Sequence, residues 1–232
     1  MPKELTEERK RRCLDVCSRH LARYHEEGDN FLQQIVTGDE TWVHHYEPES
    51  KQQSIQWKHP SSPVAEKFKT QPSAGKLMLT VFWESQGPIL ETYQEHGTTV
   101  TSATYCDMLQ REMKPAIRSK RRGELSKEIL LLHDNARPHT AAHTLETLKQ
   151  LKWEATEHPA YSLDLAPSDF HLFRPLKEAL SGRRFSCDDD NVKAAMHQWL
   201  RAQPKTFFSN GIKKFVRRWE KCIAKQGDYI EK

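Results

Sequence analysis

The sequence predicts an α/β fold, a mixed five-stranded sheet flanked by helices, and three observations predict it. β-branched and aromatic residues crowd "FLQQIVTGDETWVHHY" and "KLMLTVFWESQGPILETYQEHG". A short continuous apolar run, "EILLLH", suits a strand buried on both faces. After it, helical spacings alternate with one more strand-like stretch, "WEATE".

Thr6 reads as an N-cap, with Glu7 and Glu8 in the first turn of a helix reaching Tyr24. "HEEGDN" breaks it, and the first strand follows in "FLQQIVTGDETWVHHY". "QQSIQW" is a plausible further strand. Pro60, Pro63, Pro72 and Gly75 then mark a long loop of the kind that carries function. Two apolar runs around Ser85, Gln86 and Gly87 form a hairpin, so the first strands make an antiparallel meander. A helix from Thr101 to Arg122 should turn Tyr105, Met108, Leu109 and Ile117 inward, with Pro115 kinking or ending it. Pro138 to Leu151 is helical, with Ala141, Leu145 and Leu148 on one stripe. Ala166 to Asp169 opens a helix to Leu180, and two helices follow, carrying Val192, Met196 and Trp199, then Phe215, Trp219 and Ile223. Trp42, Trp83 and Trp153 are expected in the core. Residues 1–30 are read as an N-terminal linker and helix, and residues 31–232 as the main domain.

The chain has 232 residues, 36% hydrophobic and 29% charged, which supports a sizeable core under a solvated surface. No apolar stretch approaches the ~20 residues of a membrane span. The charged start "MPKELTEERKRR" is not a secretory signal. Net charge is only +4, but basic residues cluster at Arg9–Arg12, at Arg118, Lys120, Arg121 and Arg122, at Arg183 and Arg184, and at Lys213, Lys214, Arg217 and Arg218. Such patches either follow a phosphate backbone or solvate helix faces. Five cysteines without a disulfide framework fit a reducing compartment. Cys13, Cys17 and His20 imitate a zinc spacing, yet they share one helical face and read as core.

Three carboxylates stand at places where chemistry is often built. Asp39 lies in the first strand, Asp134 ends "EILLLH", and Asp169 starts a helix, with 34 residues between the last two. If the two strands are neighbours, Asp39 and Asp134 meet, and a helix packed on the sheet can deliver Asp169. Three carboxylates repel unless a cation neutralises them, and Mg²⁺ prefers oxygen donors. Two such ions clamp the attacking and leaving oxygens of phosphoryl displacement. Taken singly, each aspartate also reads as a turn or cap residue.

The stretches "VTGDETW", "GKLMLTVFWESQGPI", "LLHDNARPHTA", "HPAYSLDLAPSDFHLF" and "GIKKFVRRWEKCIAKQGDYIE" decide among these readings. In this order, and with the 34-residue spacing, the sequence resembles the mariner transposases of the Tc1/mariner superfamily. The resemblance implies an RNase H-like (retroviral integrase-like) fold and a metal triad of Asp39, Asp134 and Asp169. It implies two Mg²⁺ ions, with Mn²⁺ as substitute, cleavage of DNA at transposon inverted-repeat ends, and strand transfer into TA targets. It further implies a nuclear location and a homodimer joined through the loop from 46 to 76. Arg118, Lys120, Arg121, Arg122, Arg183 and Arg184 are the candidate DNA-backbone contacts.

Three departures from the family pattern stand out. Leu163 replaces the proline of "YSPDLAP", which should loosen the turn before Asp169. The start "MPKELT" falls within a family linker, and the family's paired helix-turn-helix subdomains have no counterpart here. The alternative reading is therefore an inert, domesticated DNA-binding or dimerisation module. His133 and Asn135 flank Asp134 as candidates to orient it or touch phosphate. His139 and His143 lack the glutamate of a zinc-protease helix.

Overall fold

The structure is a computed structural model that describes residues 5–49, 71–94, 97–121, 128–185 and 189–230. The "QQSIQW" stretch and Arg122 lie outside these residues. So does most of the loop from 46 to 76.

Helix α1 (Glu7–Glu27) starts at Thr6, whose hydroxyl accepts from Arg9 N, and ends at Gly28 with φ 62°. Only glycine takes that backbone without strain. "FLQQ", expected as strand, forms a short helix α2 (Asp29–Gln34), and β1 begins at Ile35. Phe31 and Leu32 are buried there, so the periodicity of that stretch is helical. Strand β1 (Ile35–His44) pairs antiparallel with β2 (Lys76–Glu84), and β2 pairs antiparallel with β3 (Gly87–Gln94). Strand β4 (Ile129–Leu132) runs parallel to β1, and β5 (Trp153–Thr156) runs parallel to β4. The order β3-β2-β1-β4-β5 places β4 beside β1, the condition under which Asp39 and Asp134 approach each other.

Side-chain alternation sorts the sheet into two covered faces. On one face Ile35, Val43, Leu79, Val81, Leu130 and Leu132 pack in a core with Cys13, Leu172, Phe215 and Trp219. Here α1 lies beside α9 (Lys205–Ala224), so the N-terminal helix belongs to the main core. Cys13 and Cys17 are buried in it. On the other face Val36, Phe82 and Leu131 pack against Tyr105, Leu109, Met113, Ile117 and Leu148. These come from α3 (Ser102–Met108), a π-helical turn (Leu109–Met113), α4 (Lys114–Lys120) and α6 (Ala142–Leu151).

Pro115 does not end its helix. It sits in the first turn of α4 directly after the π-turn. Pro175 opens α7 (Arg174–Leu180) in the same way, after a π-turn at Ser168–Phe173. Proline has no N–H to donate and its ring crowds the preceding turn, and a wider turn relieves both demands.

Two expected core residues face solvent. Trp42 is 41% exposed, with Lys76 Nζ 4.0 Å from its ring centre. Its neighbours on β1, Thr41 and Val43, are buried on the opposite face. Leu145 is also exposed, because the helical segment breaks at Ala141 into α5 (Arg137–Thr140) and α6, which resets the phase of the stripe. Helix α8 (Asp189–Ala202) completes the cover with Val192, Met196 and Leu200.

Candidate active site

The register of β1 against β4 places two of the three aspartates. Ile35, Val36 and Thr37 pair with Leu130, Leu131 and Leu132. The same offset, carried two residues beyond the ladder, sets Asp39 level with Asp134. Asp39 shares the face of Ile35 and Val43, and Asp134 lies two residues past the end of β4. Asp169 comes from the π-turn packed on this same face, where Leu172 and Phe173 are buried. Ser168, fully buried, anchors that turn by accepting a hydrogen bond from Trp83 Nε1 at 3.1 Å.

The charges register the convergence. Burial pushes the Asp39 carboxyl up to about 8, and the charges of Asp169, Glu40 and Asp134 add to the rise. Asp169 is pushed up to about 6 by burial and by Asp134, against the pull of Lys177. Asp134 behaves oppositely. Burial would raise it, but hydrogen bonds from His139 and Ala136 N outweigh burial and hold it below the usual carboxylate range. Thus burial and acidic neighbours leave Asp39 favouring the proton at neutral pH, Asp169 is raised less and stays largely ionised there, and Asp134 is matched with an imidazole.

Carboxylates are hard-oxygen donors of the kind that Mg²⁺ or Mn²⁺ prefers. Among the described residues, no three His, Cys, Asp or Glu side chains stand close enough together to hold an ion without rearrangement. Asp134 Oδ1 accepts a hydrogen bond from His139 Nδ1 at 2.7 Å.

His139 is the residue that sequence reasoning missed, having weighed it only as half of a zinc pair. Its ring is 2% exposed and its Nε2 lies 3.5 Å from Glu40 Oε1. Burial disfavours the imidazolium, but the bonds to Asp134 and Glu40 outweigh it and raise His139 to about 9. His133 points to the other face, where its Nδ1 meets Tyr105 Oη at 3.0 Å, and burial and His139 lower it to about 3. Asn135 Nδ2 donates to His158 O at 2.6 Å and so ties the strand end to the neighbouring loop. The signal for His139 was the five-residue interval of "DNARPH", with Pro138 starting a helix that returns the ring to the aspartate.

The basic candidates divide. Arg121 is 6% exposed, and its Nε donates to Glu84 Oε2 at 2.6 Å while Nη2 donates to Gln33 O. It is a structural ion pair, which corrects its assignment as a DNA contact. A side chain pinned between buried acceptors cannot swing out to a phosphate. Lys120 Nζ donates to Pro88 O, and Arg118 is exposed on α4. This group sits toward the N-terminal end of β1, away from the end where Asp134 emerges. Arg183 and Arg184 are exposed after α7, and Arg184 bridges to Tyr46 beyond the C-terminal end of β1.

Comparison with known proteins identifies the family. The family model described as "Transposase (partial DDE domain)" matches residues 47–127. The chain is 36% identical over its whole length to the Mos1 mariner transposase of Drosophila mauritiana, covering 66% of that protein. The crystal structure of the Mos1 catalytic domain superposes with a TM-score of 0.81 at 36% identity, covering 99% of this chain and 98% of that one. The chain belongs to the mariner transposase family. A Mos1 paired-end complex with Mn gives a TM-score of 0.88 at 37% identity, with 98% of this chain and 65% of that one covered. Human histone-lysine N-methyltransferase SETMAR is 34% identical over all of this chain, which covers 33% of it. The chain therefore spans 66% and 33% of the curated relatives it matches. The five-stranded mixed sheet is the RNase H-like fold of the Mos1 catalytic domain.

Proposed function

We propose that this chain is a mariner transposase catalytic unit that cuts DNA at transposon ends and joins it into TA targets. The observation that carries the reading is that Asp39, Asp134 and Asp169 lie within electrostatic reach of one another. The three carboxylates would hold two Mg²⁺ ions, with Mn²⁺ as substitute; a Mos1 complex contains Mn. When bound, the ions supply the activation of the attacking oxygen and the neutralisation of the leaving one.

The protein's own residues do the positioning. Parallel pairing of β1 and β4 sets Asp39 beside Asp134. The Trp83–Ser168 bond fixes the turn that carries Asp169. His139 orients Asp134, and Arg183 and Arg184 offer positive charge beyond α7. No side-chain nucleophile is needed, since water and then a DNA 3′-hydroxyl attack the phosphorus. Leu163 opens a tight turn that Arg218 Nη1 holds at Asp164 O (2.6 Å) and Ile230 N holds at Asp164 Oδ2 (2.7 Å). These bonds offset the missing proline. The partner is DNA, the setting is the nucleus, and a second copy of the chain joins through the loop from 46 to 76. The stems of that loop are tied by Ser73 N to Tyr46 O (2.9 Å) and His45 N to Gly75 O (3.0 Å).

A plasmid-nicking assay tests the reading. Nicking with Mg²⁺ or Mn²⁺ that disappears in Asp134→Asn and in Asp39→Asn is the expected result. DNA binding with no nicking by the unaltered chain identifies the inert module instead.

A further inference from the structure

We propose that His139 is a positioning residue for Asp134: it fixes one carboxylate oxygen and so presents the other to the divalent ion. The proposal rests on the triad reading above and deepens it.

Asp134 needs such a partner. Its side chain is 49% exposed at the end of a four-residue strand, where a carboxylate is free to rotate. Both of its well-defined bonds fall on Oδ1, from Ala136 N at 3.0 Å and from His139 Nδ1 at 2.7 Å. They select one orientation in advance, and Oδ2 is left as the oxygen for an ion.

His139 can impose that orientation because it cannot move itself. Its ring lies 4.3 Å from the Tyr105 ring centre and stacks on His133 at 5.0 Å and 18°. Tyr105 Oη holds His133 in turn. On the far edge, Nε2 faces Glu40, the residue next to Asp39, and Glu40 N donates to Asp39 Oδ1 at 2.8 Å. One buried ring thus links the segments that carry two of the three aspartates. A group that only filled space would not need both nitrogens aimed at carboxylates. Partners that orient a metal ligand are typically worth about 10–100-fold in affinity for the ion.

The test is Mn²⁺ binding to the full chain, read by electron paramagnetic resonance, with thermal melting run in parallel. His139→Ala should weaken Mn²⁺ binding by roughly 10–100-fold. His139→Asn, whose carboxamide N–H can stand near the Nδ1 position, should recover much of it. Equal or tighter binding by His139→Ala would mean that His139 competes with the ion rather than presenting Asp134, and overturns the proposal. So does His139→Asn binding no better than His139→Ala. The control is Asp134→Asn: if it binds Mn²⁺ as the unaltered chain does, the triad reading falls and takes this proposal with it. If it binds weakly while His139→Ala binds normally, only the proposal falls.

Discussion

Trp83 donates its indole N–H to Ser168 Oγ at 3.1 Å, so the residue before Asp169 is held by the strand next to β1. Both partners are fully buried. Ser168→Ala strands the indole N–H in the core, and an unsatisfied buried donor costs about 1–3 kcal/mol. Urea denaturation should show the midpoint falling with an unchanged slope. Trp83→Phe should also destabilise, and the double substitution should cost less than the sum, since the two share one bond. Additive costs would show that the bond contributes nothing. Nicking should fall in Ser168→Ala beyond the loss of folded protein, because the turn that aims Asp169 is released.

Asp39 makes folding pH-dependent in a direction unusual for a carboxylate. Its pKa is raised from 3.8 to about 8 by burial and by its acidic neighbours. Between these values the unfolded chain has lost the proton that the folded chain still holds. Stability therefore falls as pH rises through that window, and the penalty is complete above it. Asp169 acts in the same direction up to about 6. His139 adds to the trend: its contribution is full below 6.5 and is lost as pH rises through about 9. Asp39→Asn should accordingly match the unaltered chain near pH 4. At pH 8.5 it should be more stable by at least about 1 kcal/mol, or roughly 2–4 °C in Tm. Mg²⁺ should raise the Tm of the unaltered chain at pH 8.5 and do so less in Asp39→Asn. A Tm difference independent of pH would contradict the raised pKa.

These details show what the sequence could and could not convey. The interior position of β4 was legible because "ILLL" has no polar face and so lies inside the sheet, but its neighbour β1 was not. Singly, the aspartates read as turn or cap residues, and only the family resemblance joined Asp39, Asp134 and Asp169 into one proposed set. His139 was not legible, since its partner lies five residues away around a proline turn rather than at a helical or strand spacing. Arg121 was misread because it sits within a basic run. Its acceptors, Glu84 and Gln33 O, come from segments distant in the chain, and no local pattern announces them.

The Arg121–Glu84 pair should prove to be a stability element. Both side chains are buried, at 5% and 7% exposure. Arg121→Ala leaves a buried carboxylate without its cation, which costs about 3–5 kcal/mol. Arg121→Met with Glu84→Gln removes both charges and should recover most of that loss in a denaturant titration. A double variant as unstable as Arg121→Ala would mean that the guanidinium matters for its bond to Gln33 O rather than for the charge pair.

DNA affinity should separate the two basic groups through its dependence on salt. Each phosphate contact releases condensed counterions, so losing one lowers the slope of log K against log salt by about 0.9. Arg183 and Arg184 are exposed, and Arg184 bridges to Tyr46, seven residues beyond Asp39 on the same chain segment. Arg118 is equally exposed but lies toward the other end of β1. Duplex binding measured from low to moderate salt should therefore lose about one unit of slope in Arg183→Ala and again in Arg184→Ala. Arg118→Ala should leave the slope unchanged. The reverse pattern would place the DNA across α4, and the phosphates would then approach the sheet from the end where Asp134 does not emerge. The geometry of Asp39 and Asp134 would be hard to reconcile with that path, so the salt slopes test the direction of DNA entry as well as the two arginines.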